Sequence, residues 1–212
     1  MRGQRLAVLA FFAGPQLVGS ASMAGTNKEA KLALHVVEHS FRTVVCSVPA
    51  SDFPCNPGRI SPFITSVKSP GAYDVYVFVT DGDSVSGVAG ASFGISYDNT
   101  PYSGLDVISA SFCGNMTNPY KGWPDSSSGV SVAWRYSDNC RRTVASGDKS
   151  RGVTVLVGCI RVYDYGPDIL SLVPNPRDHQ VTISNCACEL DTLWPPNVGE
   201  VGFGKPGYDP CK

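Results

Sequence analysis

The sequence predicts an all-β protein: a jelly-roll or immunoglobulin-like β-sandwich, stapled by disulfides and ending in an irregular C-terminal tail. Three observations predict it. Residues 73–113 contain three runs that alternate with period two, the side-chain period of a strand. The runs are separated by Gly, Pro, Ser and Asp, the residues of turns. No stretch beyond the first 24 residues keeps a long helical period, so short strands with frequent breaks argue a sandwich.

The middle run of the three shows the pattern best. Ala89, Ala91, Phe93, Ile95 and Tyr97 fall on one face, and Gly90, Ser92, Gly94 and Ser96 on the other. One face requires a core and the other can meet water, as antiparallel sheets allow. Upstream, residues 31–39 and 43–48 read as strands, and 49–62 as a loop with four prolines. Downstream, 114–129 is turn-rich, 130–136 is a half-buried strand, and 137–151 is polar. Residues 152–163 differ from the rest. Val153, Val155, Val157 and Cys159 alternate with Leu156, Ile160 and Val162, so both faces are apolar. That is the pattern of a strand inside a sheet covered on both sides. Residues 168–173 and 180–185 are two short strands around the turn Pro174-Asn175-Pro176-Arg177-Asp178. The tail, 186–212, lies over the sandwich.

The N-terminus has a separate logic. Arg2 and Arg5 are followed by apolar residues 6–13 and small residues at 19–22 and 24, the order of a secretory signal peptide cut after Ala21 or Ala24. Residues 1–24 are therefore excluded from the fold, and 25–212 are read as one domain. A net charge of -1 and the lack of a basic stripe argue against nucleic acid as a partner. No apolar run is long enough to span a membrane after signal cleavage.

Eight cysteines, Cys46, Cys55, Cys113, Cys140, Cys159, Cys186, Cys188 and Cys211, suit an oxidising compartment. Their number leaves the pairing open. Strand geometry disfavours Cys186 with Cys188, and the pairing expected is Cys46–Cys55, Cys113–Cys140, Cys159–Cys186 and Cys188–Cys211. A zinc site on Cys186-Ala-Cys188 lacks the usual spacing.

Gly90-Ala91-Ser92-Phe93-Gly94 matches G-x-S-x-G, but a nucleophile elbow needs a strand-to-helix corner, and Ser92 falls within an alternating run. His35 and His39 are four residues apart on a strand, too far to chelate one ion side by side. Asp81 and Asp83, around Gly82, form a weak calcium candidate that turn chemistry also explains. No catalytic set, resident metal or cofactor follows from these patterns. Asn115-Met116-Thr117 is a glycosylation sequon in a loop. Trp123, Trp194, Tyr120 and Tyr102 stand near turns, where aromatics form platforms for sugars or anchors for proteins, or pack loops onto the sandwich.

The runs V-Y-V-F-V-T-D, S-G-V-A-G-A-S-F-G-I-S-Y-D and L-D-V-I-S-A-S-F-C-G, with V-A-W and G-V-T-V-L-V-G-C-I-R-V further on, resemble strands of a cohesin module. The resemblance covers a core over 73–173, about half of the mature chain, and places Gly90, Tyr97 and Asp98 on the family pattern. It implies a jelly-roll sandwich akin to carbohydrate-binding modules, secreted and non-catalytic, that binds a dockerin through one sheet face. The cysteines and the wrapping tail 186–212 have no place in that pattern. Along its length the chain also resembles exported cysteine-rich proteins of uncultured bacteria, a group that implies no function. The reading that follows is an extracellular or cell-surface module binding a protein or polysaccharide. The alternatives are a self-assembling subunit of a surface layer or filament, and a secreted hydrolase.

Overall fold

The computed structural model describes residues 25–40, 46, 63–134, 140–142 and 152–212. The expected signal peptide, the strand expected at 43–48 (Cys46 apart) and the loop at 49–62 lie outside them. Twelve strands are present among the described residues. They are β1 (Lys31–Glu38), β2 (Ser66–Val67), β3 (Gly71–Gly82), β4 (Gly90–Ser96), β5 (Leu105–Phe112), β6 (Met116–Pro119), β7 (Gly129–Ala133), β8 (Val153–Asp164), β9 (Asp168–Val173), β10 (Val181–Ser184), β11 (Leu190–Leu193) and β12 (Glu200–Phe203). Three of these correct the sequence reading. The turn-rich 114–129 contains β6, and the tail contributes β11 and β12 to a sheet. Both stretches are rich in Gly, Pro or Asn, which hides short strands from a pattern search.

The strands form two sheets. Sheet A has four strands in the order β1-β3-β8-β5. Sheet B has eight, along the path β11-β10-β4-β9-β12-β2, with β7 on the other edge of β4 and β6 beyond it. The register shows that this second sheet is narrower than its strand count. Gly90, Ala91 and Ser92 of β4 pair with both β7 and β10, and Gly94 pairs with both β7 and β9. So β9 and β10 lie end to end along one edge of β4, as two halves of an interrupted strand. The chain runs from Val173 to Thr182 while β4 advances only from Gly94 to Ser92. The surplus residues leave the sheet as a flap over 174–180. By the same reasoning β11 and β12 lie end to end beyond β10 and β9.

The sheets pack face to face through the residues that alternate inward. These include Leu32, Leu34 and Val36 of β1, Val75, Val77 and Val79 of β3, Phe93 and Ile95 of β4, and Val201 and Phe203 of β12. Such all-apolar filling is the main stabilising term of the fold. Residues 197–199 pair with β1 before entering sheet B. The Leu32 N–H donates to the Asn197 carbonyl at 2.9 Å, and the Gly199 N–H to the Leu32 carbonyl at 2.8 Å. That strip closes one side of the sandwich. At the opposite side Trp123 closes it, its ring 6.3 Å from Phe93 and 5.8 Å from Phe112.

Strand β8 lies between β3 and β5 and is apolar on both faces, as expected. Its alternation is corrected by a bulge. Val77 of β3 pairs with Gly158, but the next residue, Phe78, pairs with Leu156, leaving Val157 as the extra residue. Val153, Val155 and Val157 therefore share the sandwich core with Ile160 and Val162, while Leu156 and Cys159 face outward. There they form a second apolar cluster with Ala33, Tyr76, Phe78 and Phe63. Phe63 packs 5.5 Å from Phe78 and caps the outer face of sheet A.

The cysteine pairing differs from the expected one. Cys46 bonds Cys113, and Cys140 bonds Cys186, each joining segments far apart in sequence. Cys211 is also disulfide-bonded. Cys159 and Cys188, expected in disulfides, are free thiols. The reason is the bulge and the covering of sheet A. Cys159 points into the second cluster, where burial raises its pKa to about 12, whereas Cys188 lies in an exposed turn.

Candidate functional site

Sheet B turns its outer face away from the core, and the register lays that face out in rows. One row runs Leu190, Ser184, Gly90, Ala133, Met116 across β11, β10, β4, β7 and β6. The next runs Thr192, Thr182, Ser92, Ser131, Asn118. The middle of each row is small: glycine, alanine, or a residue with a short hydroxyl. The first row ends in large apolar groups, with Leu190 63% and Met116 65% exposed. Trp194, 64% exposed, continues the Leu190 edge. Gly90 is small of necessity, because a Cβ there would lie 2.7 Å from the Ser184 hydroxyl and 2.9 Å from the Val132 carbonyl.

A shallow depression of about 220 Å³ opens on this floor, between Ser92, Ser131, Thr182, Ser184, Leu190 and Asp178 of the flap. The floor is internally bonded. The Ser92 and Ser131 hydroxyl oxygens are 3.0 Å apart, and the Asn175 amide donates to Ser92 Oγ at 2.9 Å. Asn175 is buried and pins the flap. Its side-chain oxygen accepts from the Arg177 N–H, and its carbonyl from the His179 N–H at 2.7 Å. Thr192 Oγ1 donates to Gln180 Oε1 at 2.9 Å, tying the end of the flap to the next strand.

The residues singled out from sequence fall in several places. Ser92 sits in mid-strand within this floor. His35 is buried, and its Nδ1 accepts the Ile64 N–H at 3.0 Å; burial lowers its pKa to about 4. His39 Nδ1 meets Asp74 Oδ2 at 2.8 Å, and Arg161 Nε meets Asp74 Oδ1 at 3.0 Å. Asp81 forms an ion pair with Lys31 at 3.0 Å. Asp83 accepts the Ser86 and Val85 N–H groups, and the Ser86 bond above all holds its carboxyl below the usual range. These carboxylates are engaged by a cation and a turn, and no group of three or more His, Cys, Asp or Glu gathers for a metal among the described residues. Asn115 is exposed, just before β6. Of the aromatics, Trp194, Tyr120 and Tyr102 are exposed, whereas Trp123 packs against the core.

Sequence reasoning missed Asn175, Leu190 and Met116. The turn Pro174-Asn175-Pro176 was visible, but nothing local says that the strands on either side share one line.

No family model matches the chain, and no curated protein does. Solved structures similar to it in fold include the cohesin module of a family 33 glycoside hydrolase from Clostridium perfringens, at 4% identity. That likeness covers 82% of this chain and 96% of the module, with a TM-score of 0.46. A type I cohesin–dockerin complex from Clostridium thermocellum is similar at 10% identity over 82% of this chain and 97% of that one, TM-score 0.44. The sixth cohesin of scaffoldin B from Acetivibrio cellulolyticus, solved with a Cel5 dockerin mutant, is similar at 16% identity over 62% and 88%, TM-score 0.40.

Proposed function

We propose that residues 25–212 form one secreted, non-catalytic binding module, freed from a signal peptide at 1–24, that takes a helical segment of an extracellular protein on the outer face of sheet B. The observation behind this reading is the row from Leu190 to Met116. Four strand spacings of about 4.8 Å separate its ends, so the apolar rims stand about 19 Å apart across a low floor. A helix with its side chains is about 10–12 Å across and fits between them. Glycine, alanine and short hydroxyls let its backbone approach, and the rims supply apolar contact. The non-catalytic part of the reading is supported by Ser92, whose hydroxyl is bonded within a strand face rather than raised on a corner. The disulfides suit an oxidising environment, and the extracellular assignment extends that.

Photo-crosslinking tests it. A crosslinker replacing Ser131 should capture one extracellular protein of the source organism, and one replacing Ser109 on sheet A should not. The captured partner should bind the Leu190→Asp/Met116→Asp variant at least about tenfold more weakly. Equal capture from both positions, or undiminished binding to the double variant, would refute the reading.

A further inference from the structure

Sheet A has its own exposed aromatic region. The cap on its outer face lies over Phe78 and Leu156, and at the far end of the same face Ala72 and Tyr163 are exposed. There Asp106, Tyr163 and Ala72 form one row across β5, β8 and β3, and Ser109, Arg161 and Asp74 the next. Ala72, the β3 residue paired with Tyr163, is small and exposed. Tyr165 and Tyr102 extend the Tyr163 ring outward. The Tyr163 and Tyr165 centroids are 4.7 Å apart, and Tyr165 and Tyr102 are 5.7 Å apart. The planes meet at 56° and 78°, so the rings make a stepped ledge rather than a closed stack. Tyr102 is 80% exposed and Tyr163 39%.

The ledge is fixed by backbone. The Tyr165 N–H donates to the Gly104 carbonyl at 3.0 Å, joining the β8–β9 turn to the turn that carries Tyr102. The Leu105 N–H donates to the Asp98 carbonyl at 2.9 Å and closes that second turn. Polar groups border the rings. Desolvation and the Asp106 carboxylate, which takes the hydrogen bond of the Tyr165 hydroxyl, hold that phenol above its ordinary range. Arg161 stands one row away, its charge offset by Asp74.

We propose that the ledge formed by Tyr102, Tyr163 and Tyr165, with Asp106 and Arg161 beside it, binds a neutral oligosaccharide. Sugar rings present C–H faces that stack on aromatics and hydroxyls that bond to carboxylates and guanidinium groups, and both kinds of group are side by side here. Size decides against a protein. Tyrosine contributes about 150–250 Å² even when wholly buried, and these rings are only partly exposed, so the ledge falls short of the ~800 Å² that a stable protein interface buries on each side. It matches two or three sugar units. This ledge lies on the opposite sheet from the trough proposed for a helix and does not depend on it.

The test is titration of the oxidised protein with cellohexaose, xylohexaose and mannohexaose, followed by NMR or calorimetry. At least one should bind, and Tyr102→Ala and Tyr163→Ala should each weaken it about tenfold or more. Tyr163→Phe keeps the ring and should keep most of the affinity, and Trp194→Ala, on the other sheet, should change nothing. Unchanged thermal midpoints of the variants show that they fold. If none of the hexasaccharides binds at millimolar concentration, the proposal fails. It fails equally if the alanine variants bind as well as the native chain, or if they lose a protein partner instead.

Discussion

The outer faces of the two sheets are built in opposite ways. Sheet A carries Tyr76, Phe78 and Leu156 outward, and such groups cannot be left in water at little cost. Phe63 covers them, and the disulfide from Cys46 to Cys113 ties the segment before Phe63 to the end of β5. Sheet B carries Gly90, Ser92, Ser131, Thr182 and Ser184 outward, and among the described residues the flap edge lies against them. The size of the outward residues tells which face the chain must roof for itself and which it can leave open to another molecule.

That contrast can be broken at several points, and the largest effect is expected at the tether. Replacing Cys46 and Cys113 by Ser should lower stability by about 4 kcal/mol, given their separation of 67 residues. Chemical denaturation would measure it, and the Tyr76–Phe78–Leu156 face should then bind a hydrophobic dye while sheet B does not change. Phe78→Ala removes the centre of the covered cluster and should cost about 3–5 kcal/mol.

Acidification should act on the covered face too. His35 is held neutral in the fold, with a pKa lowered from 6.5 to about 4, so the unfolded chain binds the extra proton first. Its contribution is complete above pH 6.5 and is lost as pH falls toward about 4. Unfolding at about pH 5 should show a loss of about 2 kcal/mol relative to pH 7, and His35→Gln should flatten that slope. On the open face the expected effects are smaller. Asn175→Ala frees the flap and should cost about 1–2 kcal/mol, with faster amide exchange confined to 174–180. Ser131→Ala should stay within about 0.5 kcal/mol in the same denaturation assay. A large loss there would mean that the open face is as structural as the covered one.

Much of the sandwich was legible because alternation is a local signal. The inward set Ala91, Phe93 and Ile95, and the doubly apolar β8, follow from spacing alone. The phase of β8 did not, since one extra residue at Val157 turns Cys159 from the inner set to the outer. Cysteine pairing was missed for the same reason: it depends on which loops the sheets bring together, and Cys140 meets Cys186 only through the folded edge. The open face of sheet B was half visible in the glycines and serines of β4. Its rims were not, because Leu190 and Met116 lie in stretches that read as tail and turn.

The interrupted strand has a practical consequence. Since β9 and β10 each pair independently with β4, the length of chain between them is not tied to the alternation of either half. A foreign peptide could be grafted between Pro176 and Asp178, with Asn175 kept as its anchor, and the core would not register the change. Such cargo would be displayed directly above the small-residue floor, so the module offers a ready mount for a tag, a reporter or a tethered competitor.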